Sequence, residues 1–306
     1  MIIEIEHVSK DFGARRAVDD LNLSIPPGIC FGLLGPNGAG KTTSLRMVYG
    51  VARPTSGTIR VFGLDITQEA RAVRARLGVT LQQNVFIDAL SPLDNLRVFG
   101  RYHLLREPEL TRRAEELIDF LELRSHANVP VKILSGGFQR RLAIALSLIN
   151  GPDLLILDEP TTGLDPAVRL ALWGRVRELR AAGTTILLTT HYMDEAERLC
   201  DRIAIMSNGK VIDEGSPAEL IGRNVSKAVV ELNASPSEER TLLDGIAVPA
   251  RRLRSGGRVM IYVDDPAPLV ERISAKEGVR RGLAVRPSNL EDVFLALTGT
   301  TLEAQA

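Results

Sequence analysis

Gly35-Pro36-Asn37-Gly38-Ala39-Gly40-Lys41-Thr42 constrains this chain more than any other segment. It follows Ile29-Cys30-Phe31-Gly32-Leu33-Leu34, a short unbroken apolar run of the kind that forms a strand buried on both faces. Thr43–Tyr49, behind it, is compatible with a helix. Strand, glycine-rich turn and helix in that order make a phosphate-binding loop. The glycines let backbone N–H groups turn inward around phosphate oxygens, and the helix N-terminus adds partial positive charge. Lys41 is expected to reach the β- and γ-phosphates, and the Thr42 hydroxyl to ligate Mg²⁺, with Thr43 next to it. A glycine-rich turn that happens to precede a lysine is the bland alternative. The strand-loop-helix context disfavours it.

Further buried strands are expected at Leu154–Leu157, Thr185–Leu188 and Ile203–Met206, with a helix over Pro166–Ala182 between the first two. Such alternation predicts a parallel α/β sheet with crossover connections. Ile3, Ile5 and Val8, then Leu21, Leu23 and Ile25, read as antiparallel strands near the start, and Thr58–Phe62 as an edge-type strand. From Pro92 to Asn150 the spacing turns helical, with apolar faces at Leu93, Leu96, Val98 and Phe99 and at Ala114, Leu117, Ile118 and Leu121.

The character shifts after Pro217-Ala218-Glu219-Leu220. Strands are expected near Ala228–Leu232, Val259–Val263 and Leu283–Val285, and helices at Pro236–Leu243, Ala267–Ala275 and Asn289–Leu297. The expected fold is therefore α/β: a P-loop NTPase cassette over 1–222 and a small α+β domain over 223–306. The cassette is expected to hold a mostly parallel sheet core, an antiparallel β subdomain and a helical subdomain at about 84–150. The second unit reads as close to a split βαβ arrangement.

Composition removes several classes. Among 306 residues, 38 Lys plus Arg balance 38 Asp plus Glu, which disfavours general coating of nucleic acid. Cys30 and Cys200 lie far apart without a CxxC pair, so neither a disulfide framework nor a zinc module is expected, and a reduced compartment fits. A membrane span needs about 20 consecutive apolar residues, more than any run here offers. Met1-Ile2-Ile3-Glu4-Ile5-Glu6-His7 alternates instead of forming a signal-peptide core. Any action at a membrane is expected to pass through a partner.

Three more segments carry chemistry. Leu154-Leu155-Ile156-Leu157-Asp158-Glu159 is an apolar strand ending in two carboxylates: Asp158 can hold Mg²⁺, and Glu159 can polarise a water for attack on the γ-phosphate. An exposed acidic strand end is the bland alternative, and the loop at Gly35–Thr42 outweighs it. Leu134-Ser135-Gly136-Gly137-Phe138-Gln139 reads as a helix N-cap whose hydroxyl, bare N–H groups and dipole also suit an anion. His191 follows the strand Thr185–Thr190. Alone, such a residue is a surface or capping histidine, and no Cys or His at ligand spacing makes it a metal site. His7, His103 and His126 take no role.

The order Gly35–Thr42, Gln82, Leu134–Gly137, Leu154–Glu159 and His191 resembles the ATP-binding cassette (ABC) family of transporter ATPases, over about residues 2–222. The resemblance implies that Phe12 stacks on adenine and that Gln82 touches Mg²⁺ and links the site to a transport subunit. At position 81 a leucine stands where a proline is more usual. It further implies that Ser135, Gly136 and Gly137 contact the ATP held by an opposite subunit, that Asp165 crosses the dimer interface, and that His191 senses the γ-phosphate. Tyr192–Arg202 and Arg286–Phe294 are similar to exporter-type cassettes of the drug, polysaccharide and lipo-oligosaccharide class, such as those for nodulation factors or daunorubicin resistance.

The function implied is an ATP-hydrolysing, energy-coupling subunit that dimerises around two ATP molecules and drives a separate membrane permease. Its expected location is cytoplasmic, peripheral on the inner face of the cell membrane, with ATP and Mg²⁺ as cofactors and no nucleic-acid partner. The alternative is a soluble ATPase of the same family acting on ribosomes or DNA, whose relatives carry tandem cassettes or long coiled-coil insertions. A P-loop kinase or GTPase is disfavoured by Leu134–Gly137 and His191. Asn84-Val85-Phe86-Ile87-Asp88-Ala89-Leu90 is expected either to form a groove for a helix of the permease or to tuck its apolar residues inward. The apolar face Leu290, Val293, Phe294 and Leu297 favours a second unit that tethers two copies over one that gates ATP turnover in response to cargo or lipid.

Overall fold

A computed structural model of the chain describes residues 1–243, 252–255, 257–275 and 282–299. The remainder of the expected 223–306 unit lies outside the described residues. The chain divides into two compact units, Met1–Glu214 and Gly215–Ala306.

The first unit opens with an antiparallel sheet of β1 (Ile3–Phe12), β2 (Arg15–Ile25), β4 (Ser56–Val61) and β5 (Leu64–Asp65), in the order β2-β1-β4-β5. Val8 breaks the alternation begun by Ile3 and Ile5, yet it is fully buried. The cause is a register shift between Ile5 and Val8, where His7 takes a φ of 52° and the strand gains one residue. The segment expected at an edge, β4, lies inside the sheet, because the two-residue β5 covers it.

The second sheet is built around β3 (Cys30–Leu34), with β6 (Leu77–Thr80), β7 (Leu154–Asp158), β8 (Thr185–Thr190), β9 (Arg202–Ser207) and β10 (Lys210–Gly215). Its order is β10-β9-β3-β8-β7-β6, and β9, β3, β8, β7 and β6 pair in parallel. Strands β3, β7 and β8 are buried at every residue, as their unbroken apolar runs require. Parallel pairing brings the carboxyl ends of β3, β7 and β8 together, which is where ligands bind in open α/β sheets.

Helices α1 (Lys41–Val48), α2 (Ile66–Ala75), α6 (Pro166–Ala181) and α7 (Met193–Leu199) complete the sheet layers. Sequence periodicity did not reveal α2, which buries only Ile66 and Val73. Between β6 and β7 the chain forms α3 (Pro92–Tyr102), α4 (Glu109–Phe120) and α5 (Gly136–Leu148). The Ser91 hydroxyl accepts from the Asp94 N–H and Pro92 fills the first turn, which fixes the start of α3.

Cys30 and Cys200 are both buried and free, and their Sγ atoms lie 4.0 Å apart. Close to them, Glu195 on α7 has no exposed surface. Its Oε1 accepts from the Thr161 hydroxyl at 2.8 Å and from Trp173 Nε1 at 2.9 Å, while Oε2 has no partner. Desolvation raises its pKa. The protonated form is favoured in the fold, so this residue's contribution is fullest at low pH and declines as pH rises past the unfolded value. Glu195→Gln keeps the acceptor and loses the charge, so its melting temperature should match or exceed that of the parent at pH 8, with the gap closing toward pH 5. Glu195→Ala strands two buried donors at about 1–3 kcal/mol each. A Gln variant that loses stability on going from pH 5 to pH 8, relative to the parent, would refute this account.

The second unit begins at Gly215, not after residue 222, because α8 (Pro217–Asn224) packs with the final helix, α11 (Leu290–Thr298). Its sheet holds β11 (Ala228–Asn233), β12 (Arg252–Ser255), β13 (Arg258–Val263) and β14 (Leu283–Pro287), in the order β12-β13-β11-β14 with every neighbouring pair antiparallel. With α9 (Pro236–Leu243) and α10 (Ala267–Ser274) as the crossovers, this is a split βαβ arrangement. Val230, Leu232, Val259, Ile261 and Val263 face those two helices, meeting Leu243, Leu269 and Ile273.

The apolar face of α11 is not left for a second copy. Leu290, Val293 and Phe294 are buried within the unit, and only Leu297 is exposed, at 37%. A polar lock holds the helix start. Arg286 donates to both Asp292 oxygens at 2.6 and 2.9 Å and to Glu231 Oε1 at 2.7 Å, and the Tyr262 hydroxyl donates to Asp292 Oδ1 at 2.9 Å. Asn289 caps the helix by accepting from the Glu291 and Asp292 N–H groups. The Arg286–Phe294 segment is thus a docked, capped helix start.

Candidate nucleotide site

The loop Gly35–Thr42 runs from β3 into α1 in the geometry that its sequence demands. Gly40 has a φ of 102°, and a Cβ there would lie 2.6 Å from the Ala17 carbonyl oxygen. At Gly35 a Cβ would lie 2.3 Å from the Met206 carbonyl oxygen. Only glycine fits either place. Ala39 is buried, and its N–H donates to the Pro36 carbonyl at 3.2 Å, which closes the turn.

A cavity of about 470 Å³ opens over this loop. It is lined by Phe12, Arg15 and Ala17, by Pro36, Asn37, Gly38, Gly40, Lys41, Thr42 and Thr43 of the loop and helix start, and by Gln82 and Glu159. Phe12 is 55% exposed, with Lys10 Nζ 4.9 Å from its ring centre, and an exposed ring of this kind can stack on a planar base.

Lys41 is buried, and its Nζ donates to the carbonyls of Gly35 at 2.6 Å and Pro36 at 3.0 Å. It lies 3.8 Å from Glu159 Oε1. Burial lowers its pKa, against the pull of the Glu159 and Asp158 charges. The Thr42 hydroxyl donates to Asp158 Oδ1 at 3.3 Å, and the Thr189 hydroxyl to the same oxygen at 2.5 Å. Hydroxyl and carboxylate oxygens at the cavity floor are a hard donor set, which suits Mg²⁺ once phosphate oxygens join it.

Glu159 is where the other groups converge. Oε2 accepts from Gln82 Nε2 at 3.3 Å and from the Thr162 hydroxyl at 3.2 Å. His191 Nδ1 lies 3.3 Å from Oε1, near enough for an ion pair but off the hydrogen-bonding direction. His191 and then the Lys41 charge hold the carboxyl below its usual range, although burial opposes them. The backbone of Glu159 is left-handed at a φ of 47°, with its N–H donating to the Thr189 carbonyl and hydroxyl, each at 3.1 Å. Few non-glycine residues sit there.

Ser135, Gly136, Gly137 and Asp165 do not line this cavity. Ser135 begins α5 with an exposed side chain that makes no capping bond. A Cβ on Gly136 would meet nothing within 4 Å, whereas one on Gly137 would press Val168 at 3.3 Å. Asp165 accepts from the Val168 N–H at 3.0 Å and caps α6. Within one copy, therefore, Phe12, Gln82, Asp158, Glu159 and His191 gather with the loop, and the Ser135 and Asp165 group stands apart. Sequence reasoning overlooked Arg15 and Ala17 in the cavity lining, and Thr162 and Thr189, which donate to Glu159 and Asp158. Arg15, three residues after Phe12, carried the one usable signal.

Comparisons with known proteins agree with this geometry. Residues 18–162 match the ABC transporter family, and residues 239–299 match the C-terminal domain of the nodulation factor export protein NodI. The chain is 47% identical over 299 residues to the Nod factor export ATP-binding protein I of Cupriavidus metallidurans, covering 97% of each. It is 47% identical to the protein of that name from Sinorhizobium fredii, covering 98% of this chain and 87% of the relative. A dimeric ATP-binding cassette solved after hydrolysis with ADP and phosphate bound matches 70% of this chain and 98% of its own, at 28% identity and a TM-score of 0.65. A cassette of Clostridium perfringens, part of an ABC transporter complex, matches 72% of this chain and 91% of its own, at 29% identity and a TM-score of 0.67. None of these relatives supports the alternative of an ATPase acting on ribosomes or DNA. The chain belongs to the ABC transporter ATP-binding subunits of the exporter class, ATPases whose hydrolysis is coupled to transport.

Proposed function

We propose that two copies of this chain close around two ATP molecules and drive export through a membrane permease. The ionised Glu159 carboxylate, with Lys41, Gln82, Thr162 and His191 gathered on it at the cavity wall, carries this reading. Glu159 accepts the proton of the attacking water. Lys41 exchanges its loop carbonyls for the β- and γ-phosphate oxygens. His191 reads the γ-phosphate, and Phe12 stacks on the adenine. Thr42 and Asp158 would hold Mg²⁺, with Gln82 nearby, and the ion would neutralise charge across the β- and γ-oxygens.

Ser135, Gly136 and Gly137 serve the nucleotide of the other copy. The exposure of Ser135 and Gly136 and the open face of Gly136 support that assignment, as does the dimeric relative bound to ADP and phosphate. Asp165 lies at the same interface. Glu159→Gln with ATP and Mg²⁺ should scatter light as a dimer, and Ser135→Arg should abolish that dimer. A monomer with ATP at high protein concentration and low salt would contradict the reading.

No helix among the described residues is long and apolar enough to cross a membrane. The permease is therefore the proposed attachment, at the inner face of the membrane, through the loop after Gln82. Val85 and Ile87 are 59% and 40% exposed and Phe86 is half-buried, so the first two do not tuck into the helical subdomain. Buried Asn95 fixes that loop by accepting from the Ile87 N–H and donating to the carbonyls of Ile87, Leu90 and Ser91. A rigid, partly apolar ledge suits a cytoplasmic helix of the permease. The names of the curated relatives make a nodulation-factor type of molecule the proposed cargo, with its selection left to the permease.

A further inference from the structure

Helix α5 carries one buried cation to which the roles above give no task. Arg140, five residues after Ser135, is 5% exposed. Its Nη1 donates to the Leu81 carbonyl at 2.6 Å and to Asn84 Oδ1 at 3.2 Å. Its Nη2 donates to the carbonyls of Asp158 at 2.9 Å and Glu159 at 3.0 Å, and its Nε to that of Pro160 at 2.7 Å. Four backbone carbonyls and one amide oxygen therefore take the donors of a single planar fork.

These acceptors share one property. Leu81 and Asn84 flank Gln82, and Asp158 and Pro160 flank Glu159. The fork is anchored on the helix that starts at Ser135. Burial pulls the guanidinium down to about 10, against the charges of Asp158, Glu195 and Glu159, so it stays cationic at neutral pH. A rigid five-donor fork fixes several oxygens relative to one another, which a lysine ammonium on a flexible stem cannot do.

We propose that Arg140 is the positioning residue that locks Gln82 and Glu159 to the Ser135 helix, so that a push on the loop after Gln82 reaches the general base directly. This rests on the roles given above to Gln82, Glu159 and Ser135. Arg140 does not line the nucleotide cavity. It acts by holding the backbone on both sides of Glu159.

The test compares the full-length parent, Arg140→Lys, Arg140→Gln and Glu159→Gln in steady-state ATP hydrolysis, ATP binding and amide hydrogen exchange. Arg140→Lys keeps the charge and stem but not the fork. Its kcat should fall about 10- to 100-fold, because displacements near 1 Å at a catalytic group carry that order of loss. KM and ATP affinity should hold within about twofold, since Gly35–Thr42 is untouched. Exchange should rise together at 81–84 and 158–162 and stay unchanged at 35–42. Arg140→Gln should show the same pattern more strongly.

A parent-like kcat in Arg140→Lys would overturn the proposal, since a point charge would then suffice. Exchange rising throughout the first unit, or failure of both variants to fold, would assign Arg140 to core stability alone and also overturn it. An active Glu159→Gln strikes the assignment of the base. An inactive Glu159→Gln beside a parent-like Arg140→Lys strikes only the lock.

Discussion

Glu159→Gln is expected to bind ATP and stop at the bound state, with kcat lower by about 10²–10⁴-fold, the range for removing a positioned base. The amide preserves size and can still meet Gln82, Thr162 and His191. It cannot accept a proton from water. The side chain is buried, so no bulk-solvent base replaces it at close range. His191 and Lys41 hold the parent carboxyl below its ordinary range, which keeps it ionised into mildly acidic solution. The acid limb of the parent kcat profile should therefore begin below the pH at which a free glutamate protonates. Phosphate release over many turnovers, set beside retention of labelled ATP, reads both effects. Full hydrolysis by a pure Glu159→Gln preparation would sink the assignment.

Lys41→Ala should weaken binding and turnover together. Glu159 lines the cavity and Asp158 accepts from Thr42 beside it, so without Lys41 the incoming phosphates approach two carboxylates and no buried ammonium. A hydrogen bond to a charged group is worth about 1.5–3 kcal/mol. That corresponds to roughly 10- to 150-fold in ATP affinity, since 1.4 kcal/mol is tenfold. Turnover falls further because the same contact strengthens as charge moves onto the leaving phosphate. In the free parent protein, burial lowers the pKa of Lys41, so its charge is lost at a lower pH than that of an exposed lysine. ATP association should weaken on the alkaline side accordingly, and Lys41→Ala should lose that dependence. Calorimetric titration across pH 7 to 10 decides it. Parent-like affinity in the alanine variant would remove Lys41 from the site.

What could be read beforehand was whatever lies contiguous in the chain. Gly35–Thr42 and Asp158-Glu159 announce themselves because strand, turn and functional group are consecutive, and the parallel sheet follows from unbroken apolar runs. Arg140 gave no such signal. It sits within α5, and its acceptors lie 18 to 20 residues away on one segment and 56 to 59 on another. Glu195 likewise looked like one more charge in Tyr192–Arg202, although it is fully buried. The error about α11 has a specific origin. A boundary after residue 222 places Pro217–Leu220 in the cassette, whereas α8 packs with α11 inside the second unit. The four-residue β6 carries too little period to register, and the six-residue β10 buries only Gly215, so it shows no apolar run.

The left-handed backbone at Glu159 has a consequence for how this chain responds to selection. A non-glycine residue in that conformation costs on the order of 1–3 kcal/mol, and the cost is borne at the position of the proposed base. Glycine there would relieve it and leave the Thr189 contacts to the backbone N–H intact. Yet glycine also removes the carboxylate 3.8 Å from buried Lys41, and stranding one partner of a buried pair costs about 3–5 kcal/mol, so Glu159→Gly should melt below the parent despite its relaxed backbone. The charge that does the proposed work thus also holds its own strained backbone in place, so a screen for melting temperature alone should retain Glu159.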